Sequence, residues 1–113
     1  MTGVQTCALP ISITELAQAH RIKVILCSVT PVSDYTARPQ TPERPPSDIL
    51  KLNAWMRQYA ASANVVFADY YAALVDETGM LKRGFSGDGL HPNDQGYTML
   101  VPVAEAAIAK ALP

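Results

Sequence analysis

A chain of 113 residues with 49% apolar and 17% charged residues is suited to one small packed domain and unlike a disordered segment. The formal net charge of -1, without any lysine or arginine cluster, argues against nucleic-acid binding or a basic membrane patch. No apolar run is long enough to span a bilayer, and two distant cysteines, Cys7 and Cys27, favour neither a disulfide framework nor a metal site.

The first twelve residues, MTGVQTCALPIS, show no clean helical or strand period. They resemble the translated adapter sequence that begins many fragmentary metagenomic reading frames. We therefore expect residues 1–12 to be a non-native or disordered leader, and residues 13–113 to form the domain. A genuine disordered N-terminus is the alternative. No signal peptide is recognisable, and the sequence leaves the cellular compartment open.

The next elements alternate between helix and strand. A short helix is predicted over residues 12–20, followed by the apolar run from Ile22 to Val29. Such a run is typical of a parallel strand that is covered on both faces. Residues 30–47 hold five of the nine prolines and no apolar period, which predicts a long surface loop of the kind that walls an active site.

A second helix is predicted from an N-cap at Ser47 or Asp48 to a stop at Asn64. Its expected buried face consists of Ile49, Leu52, Met56, Tyr59 and Ala63. A short strand over residues 65–67 and a short helix over 70–75 follow. The last helix is predicted from about Asp94 to Leu112 with a kink at Pro102, and its expected inner face consists of Leu100, Val103, Ala107, Ile108 and Ala111.

This order predicts an α/β fold with a right-handed parallel crossover. Two parallel strands do not make a stable sheet alone, and the free edge of an apolar strand would attract other chains. The pattern therefore predicts neighbouring strands, supplied by an N-terminal segment absent from this chain or by a partner.

The stretch with the clearest chemistry is SGDGLHPN, residues 86–93. Asp88 and His91 lie three residues apart in a loop before the last helix, and Pro92 favours an extended backbone at His91. Gly87 and Gly89 would let the Asp88 carboxylate fold back toward the imidazole. A carboxylate on Nδ1 fixes the tautomer and leaves Nε2 as a general base, so a catalytic aspartate–histidine dyad is predicted.

DGLHPN followed by Gly96 and Tyr97 resembles the last block of the SGNH/GDSL-type serine esterases and lipases. The run VILCSVTPV, the positions of Asn53 and Tyr59, and the segment FADYY extend the resemblance over about residues 13–112. It implies a three-layer α/β/α flavodoxin-like sandwich, of which this chain holds the last two parallel strands and their helices.

The same resemblance implies carboxylic-ester hydrolysis through a Ser-His-Asp triad, with His91 as base and Asp88 as its orienting carboxylate. The family's Gly-Asp-Ser nucleophile and its oxyanion-hole Gly and Asn have no counterpart here, and neither Ser28 nor Ser86 is assigned as nucleophile. The chain alone is expected to be inactive. The implied partners are a small-molecule ester, such as an acyl lipid or an acetylated carbohydrate, and the missing N-terminal half. No cofactor or metal, nucleic acid or stable membrane insertion is expected.

Other interpretations stay open at this point. Asp88 and His91 could merely cap the last helix, or bind a metal ion together with Asp69, although Asp69 is better explained as a turn or cap residue. The domain could be a non-catalytic carbohydrate- or partner-binding module, or a truncated frame without independent function. Residues 32–38 are candidates for substrate contact on loop position alone.

Overall fold

The computed structural model of this chain describes residues 3–112, with side chains from residue 8 onward. Its elements are α1 (Gly3–Ala19), β1 (Ile25–Cys27), α2 (Pro46–Ala63), β2 (Val66–Ala68), α3 (Tyr70–Leu74) and α4 (Asp94–Ala111). β1 and β2 are parallel, with Ile25 opposite Val66 and Cys27 opposite Ala68. The predicted α/β class and the predicted parallel pairing are therefore confirmed.

Helix α1 begins well before the predicted start near Ser12 and continues through Pro10. The expected domain boundary at residue 13 thus falls inside a helix, and residues 1 and 2 of the expected leader lie outside the described residues. The helical state of residues 3–12 does not bear on their origin, which stays a prediction. Three large apolar side chains of α1 are exposed: Leu9, Ile13 and Leu16.

The predicted strand from Ile22 to Val29 is reduced to three residues, and each of them is half-buried rather than fully covered. Ile22 and Val29 are both exposed. The physical reason is that β2 is the only strand paired with β1 among the described residues, so the other edge of β1 keeps contact with solvent.

Helix α2 starts earlier than predicted, since its N-cap lies two residues before Ser47 and three before Asp48. Pro45 is the N-cap residue without a side-chain hydrogen bond, so the predicted capping by Ser47 or Asp48 is wrong. Pro46 suits the first helical position because its missing N–H would have no partner there. The predicted stop is confirmed, since Asn64 adopts the left-handed conformation (φ 58°, ψ 44°) and its N–H bonds carbonyl oxygens of the last turn.

The buried face of α2 is rotated slightly from the predicted one. Ile49 and Met56 are buried as expected, together with Asn53 and Ala60. The predicted core positions Leu52, Tyr59 and Ala63 are only half-buried.

Helix α4 begins as predicted, with the side chain of Asn93 accepting a hydrogen bond from the Gly96 N–H at 3.0 Å. Of its expected inner face, Leu100, Ala107 and Ala111 are buried, Val103 is half-buried, and Ile108 is exposed, so the prediction for Ile108 is wrong. Leu100 packs with Leu74 and Leu81 in the cluster that supports the loop before α4. No helix within residues 3–112 has the length and apolar character needed to cross a membrane.

Candidate active site

The candidate site lies in the loop between the Leu81 core position and α4. An isolated antiparallel bridge between Ser86 and Pro92 closes this loop at its base. Asn93 reinforces the closure, because its N–H bonds the Phe85 carbonyl at 2.7 Å and its side-chain amide bonds the Gly84 carbonyl at 2.9 Å. We refer to residues 86–91 below as the dyad loop.

The expected contact between Asp88 and His91 is present. Asp88 Oδ2 lies 2.6 Å from His91 Nδ1. The other carboxylate oxygen accepts hydrogen bonds from the backbone N–H groups of Leu90 at 2.8 Å and of His91 at 2.7 Å. The hydrogen bond with the His91 ring, followed by these backbone bonds, lowers the pKa of Asp88 below its usual range.

This arrangement determines which ring nitrogen is available. An ionised carboxylate can only accept, so the proton of a neutral His91 ring belongs on Nδ1 and Nε2 keeps its lone pair. The His91 side chain is 75% exposed, whereas that of Asp88 is 51% exposed. The imidazole is therefore oriented by the contact at Nδ1, and most of the ring is accessible to solvent, as a general base requires.

Glycine is required at one of the two predicted positions. Gly89 has φ of +79°, and a Cβ built there would lie 2.7 Å from the carbonyl oxygen of Ser33. Gly87 does not have a positive φ, and a Cβ added to it would meet no atom within 4 Å. The expectation that both glycines shape the turn around Asp88 is thus wrong for Gly87.

A second loop, residues 31–45, packs against the dyad loop and forms hydrogen bonds with its backbone. The Ser33 N–H bonds the Gly89 carbonyl at 2.9 Å, and the side-chain amide of Gln40 bonds the Asp88 carbonyl at 3.2 Å. Gln40 is only 7% exposed, so this contact is shielded from water. The sequence signal for this loop was its proline content, which indicated a loop but not which atoms it contacts.

The loop of residues 31–45 has its own internal supports. Asp34 accepts hydrogen bonds from the Thr41 hydroxyl at 2.5 Å and from the backbone N–H groups of Thr41 and Gln40, each at 2.9 Å. The Thr41 bonds are the main reason that the pKa of Asp34 lies below its usual value. At the other side, the Tyr35 hydroxyl donates to Asp76 at 2.5 Å.

A cleft of about 360 Å³ is lined by residues of both loops beside their contact. Its lining residues are Thr36, Ala37, Arg38, Gln40, Glu43, Arg44, Gly87, Asp88, Leu90 and His91. Of the segment suggested for substrate contact, Val32 and Ser33 are buried, and only residues 36–38 line the cleft.

A larger cavity of about 550 Å³ lies near the beginnings of both strands, among residues that include Gln18, Val65 and Lys110. None of the residues with an assigned chemical role lines this cavity. We therefore place the candidate site in the smaller cleft beside His91.

The two serines considered in the sequence analysis, Ser28 and Ser86, both have other hydrogen-bond partners. Ser28 is buried, and its hydroxyl donates to Asp69 at 3.2 Å and accepts from the Tyr71 N–H at 2.8 Å. The Ser86 hydroxyl lies 2.7 Å from the backbone carbonyl of His91 rather than beside the ring. Neither hydroxyl is hydrogen-bonded to His91 Nε2, in agreement with assigning neither as nucleophile.

Asp69 is not brought to the dyad. Its carboxylate caps α3 by accepting from the Ala72 N–H at 3.2 Å, and it pairs with Arg57 at 2.7 Å. This confirms the interpretation of Asp69 as a cap residue. Among residues 8–112, whose side chains the structure describes, no group of three or more histidine, cysteine or acidic side chains could hold a metal ion. The alternative metal site therefore lacks its third ligand.

Comparison with known proteins assigns this chain to a family. The sequence matches the family model of the GDSL-like lipases and acylhydrolases over residues 7–99. A GDSL-like lipase from Bacteroides thetaiotaomicron is 36% identical, with a TM-score of 0.78 over 90% of this chain and 50% of that one. The chain belongs to the GDSL-like lipase/acylhydrolase family.

Two further structures agree with this placement. A Bacteroides fragilis protein assigned to the acylhydrolases is 33% identical, with a TM-score of 0.80 over 91% of this chain and 50% of that one. A Streptococcus pneumoniae protein, at 24% identity and a TM-score of 0.72, shares the fold over 89% of this chain and 49% of its own length. No curated protein sequence is significantly similar to this chain. The chain spans about half the length of the solved relatives, and the partial α/β/α sandwich implied by the resemblance is confirmed.

Proposed function

We propose that this chain supplies the general base and its orienting carboxylate to a carboxylic-ester hydrolase that uses a Ser-His-Asp triad. The observation that carries the proposal is the 2.6 Å contact of Asp88 Oδ2 with His91 Nδ1 in a largely exposed ring that lines a cleft. The serine and the oxyanion donors would come from protein outside these 113 residues. The chain by itself is then expected to show no ester hydrolysis.

The chemistry follows from the two ring nitrogens. His91 Nε2 accepts the proton of the serine hydroxyl as its oxygen attacks the ester carbonyl carbon, and a tetrahedral oxyanion forms. The imidazolium then gives that proton to the departing alcohol oxygen, which leaves an acyl-enzyme. A water molecule, deprotonated by His91 in the same way, then attacks the acyl carbon. The imidazolium returns the proton to the serine oxygen as the acyl–oxygen bond breaks, which releases the acid and restores the serine.

Asp88 acts through His91 in both halves of this cycle. Asp88 is ionised at neutral pH, as any aspartate with an ordinary or lowered pKa is, and it stabilises the positive charge that appears on the ring. It also keeps the ring oriented between the two proton transfers. The cleft lined by residues 36–38 and Leu90 is the proposed place for part of the small-molecule ester.

The test is a chimera that joins residues 13–113 to the N-terminal half of the Bacteroides thetaiotaomicron lipase, whose matched half is 36% identical. The wild-type chimera should hydrolyse a short-chain aryl ester. His91→Ala should lower kcat on the order of 10⁴-fold or more, because the proton acceptor is lost.

His20 provides the matched control, since it is the other histidine of the chain and lies exposed directly after α1. His20→Ala should leave the rate unchanged. Undiminished turnover by His91→Ala would disprove the assignment. A folded wild-type chimera without hydrolysis would instead favour a non-catalytic binding domain.

A further inference from the structure

The Ser86 hydroxyl makes several hydrogen bonds within the dyad loop. Its oxygen lies 2.7 Å from the His91 carbonyl oxygen and 3.0 Å from Asp88 Oδ1. It also accepts from the backbone N–H groups of Gly89 at 3.0 Å and of Asp88 at 3.3 Å. One hydroxyl therefore contacts the loop at Asp88, at Gly89 and at His91.

The bonding capacity of a hydroxyl is fully used by these contacts. It has one proton and two lone pairs. The lone pairs receive the N–H groups of Asp88 and Gly89, and the proton goes to the His91 carbonyl, the nearer of the two acceptors. If the proton turns to Asp88 Oδ1 instead, the hydroxyl still joins the carboxylate to the turn. In the first arrangement Ser86 joins Asp88 directly to His91, and in the second it fixes the Asp88 carboxylate to the turn at Gly89.

The groups of residues 31–45 that contact the backbone of the dyad loop each reach a single carbonyl. The Gln40 amide reaches only the Asp88 carbonyl, and the Ser33 N–H reaches only the Gly89 carbonyl. The His91 carbonyl receives a side-chain hydrogen bond from Ser86 alone within the described part of the chain. Without that bond, His91 is held to Asp88 only through its own backbone N–H and its ring, and its carbonyl loses the side-chain anchor.

We propose that Ser86 is a positioning residue of the dyad: its hydroxyl fixes the dyad loop so that Asp88 Oδ2 faces His91 Nδ1, and thereby selects the ring tautomer with a free Nε2. Its effect on hydrolysis rests on the proposed function. Its effect on the tautomer does not, because the tautomer exists in the chain without any nucleophile.

The first measurement is nitrogen-15 NMR of the two ring nitrogens of His91 in the 113-residue chain, at a pH where the ring is neutral. The wild-type ring should show a protonated Nδ1 and an unprotonated Nε2. Ser86→Ala should show a mixture of both tautomers. Ser86→Thr, which keeps the hydroxyl, should restore the wild-type pattern. Ser62→Ala is the matched control, since Ser62 makes a single exposed hydrogen bond to the Tyr59 carbonyl.

Ser86→Val separates the hydroxyl from the shape of the side chain, because valine and threonine have nearly the same volume. The valine variant should behave like the alanine variant. A ring that keeps its proton on Nδ1 in both would overturn the proposal. So would loss of the folded amide spectrum in both, because a positioning role requires that the remaining fold survives.

The second measurement is steady-state kinetics of the chimera. Ser86→Ala should lower kcat roughly 10-fold with KM little changed, since displacement of the base by a fraction of an ångström affects the transition state more than ground-state binding. Lower stability with an unchanged kcat would reduce Ser86 to a structural residue and overturn the proposal. A tautomer shift in the chain, with no hydrolysis by the wild-type chimera, would reject the proposed function and leave the positioning role standing.

Discussion

Gly89→Ala is the substitution whose effect can be derived most fully from the geometry. Alanine in a left-handed conformation costs about 1–2 kcal/mol. The new methyl would also lie 2.7 Å from the Ser33 carbonyl oxygen and 3.2 Å from the hydroxyl oxygens of Ser33 and Thr36. Relief requires the loops to separate by about 0.7 Å, to the 3.4 Å of an ordinary contact, and such overpacking adds about 1–3 kcal/mol. We expect Gly89→Ala to lower the free energy of unfolding by about 2–5 kcal/mol in total.

Gly79→Ala is the matched control for this prediction. Gly79 has a similarly positive φ of +88°, but a Cβ there meets no atom within 4 Å. Both variants share the backbone strain and the small gain from a less flexible unfolded chain. The difference between them in the free energy of unfolding by urea should therefore isolate the clash, at about 1–3 kcal/mol. Equal losses would refute the inference that the two loops are in tight contact at Gly89. In the chimera, Gly89→Ala should also lower kcat by roughly 10-fold or more, because the loop movement displaces Asp88 and His91.

Two further predictions concern the end of β1 and the charge of the dyad. Asn53→Ala should lower the free energy of unfolding by about 2–4 kcal/mol, because the buried Asn53 amide bonds both the N–H and the carbonyl of Val29, at 2.7 and 2.9 Å. Urea unfolding measures this change. A loss below about 1 kcal/mol would contradict the prediction. For Asp88, a pKa below the unfolded value of about 3.9 means that its stabilising contribution is complete above that pH and is lost as the pH falls through the folded-state pKa. The stability difference between wild type and Asp88→Asn, followed by thermal unfolding from about pH 7 to about pH 2, should therefore shrink below about pH 4, and a constant difference would contradict the prediction.

The local elements of this fold were largely predictable because their signals are local. Asn64 ends α2 by its tolerance for positive φ, and Asn93 caps α4 with its own side chain. The parallel pairing of the strands followed from their spacing and apolar character. By contrast, Ile108 on α4 was expected to be buried and is exposed, because burial depends on which neighbour covers a helix face and not on the period alone.

The contact between Asp88 and His91 could also be predicted from the sequence. Three residues of separation, a glycine at position 89 and the proline after His91 leave few ways to arrange so short a loop. The roles of Ser33 and Gln40 were not predictable, because each contact joins residues about fifty positions apart. The sequence indicated only that residues 30–47 form a loop.

The chemistry and the local geometry follow from the sequence alone: an α/β chain with a carboxylate and an imidazole placed for contact across one tight turn. The folded chain was needed to show two features. Glycine is required at position 89 but not at position 87, and the Ser86 hydroxyl is hydrogen-bonded to the His91 carbonyl. The reason is physical. A turn of four residues is governed by backbone dihedrals that its own residues set, whereas a contact between distant loops depends on how the core brings them together.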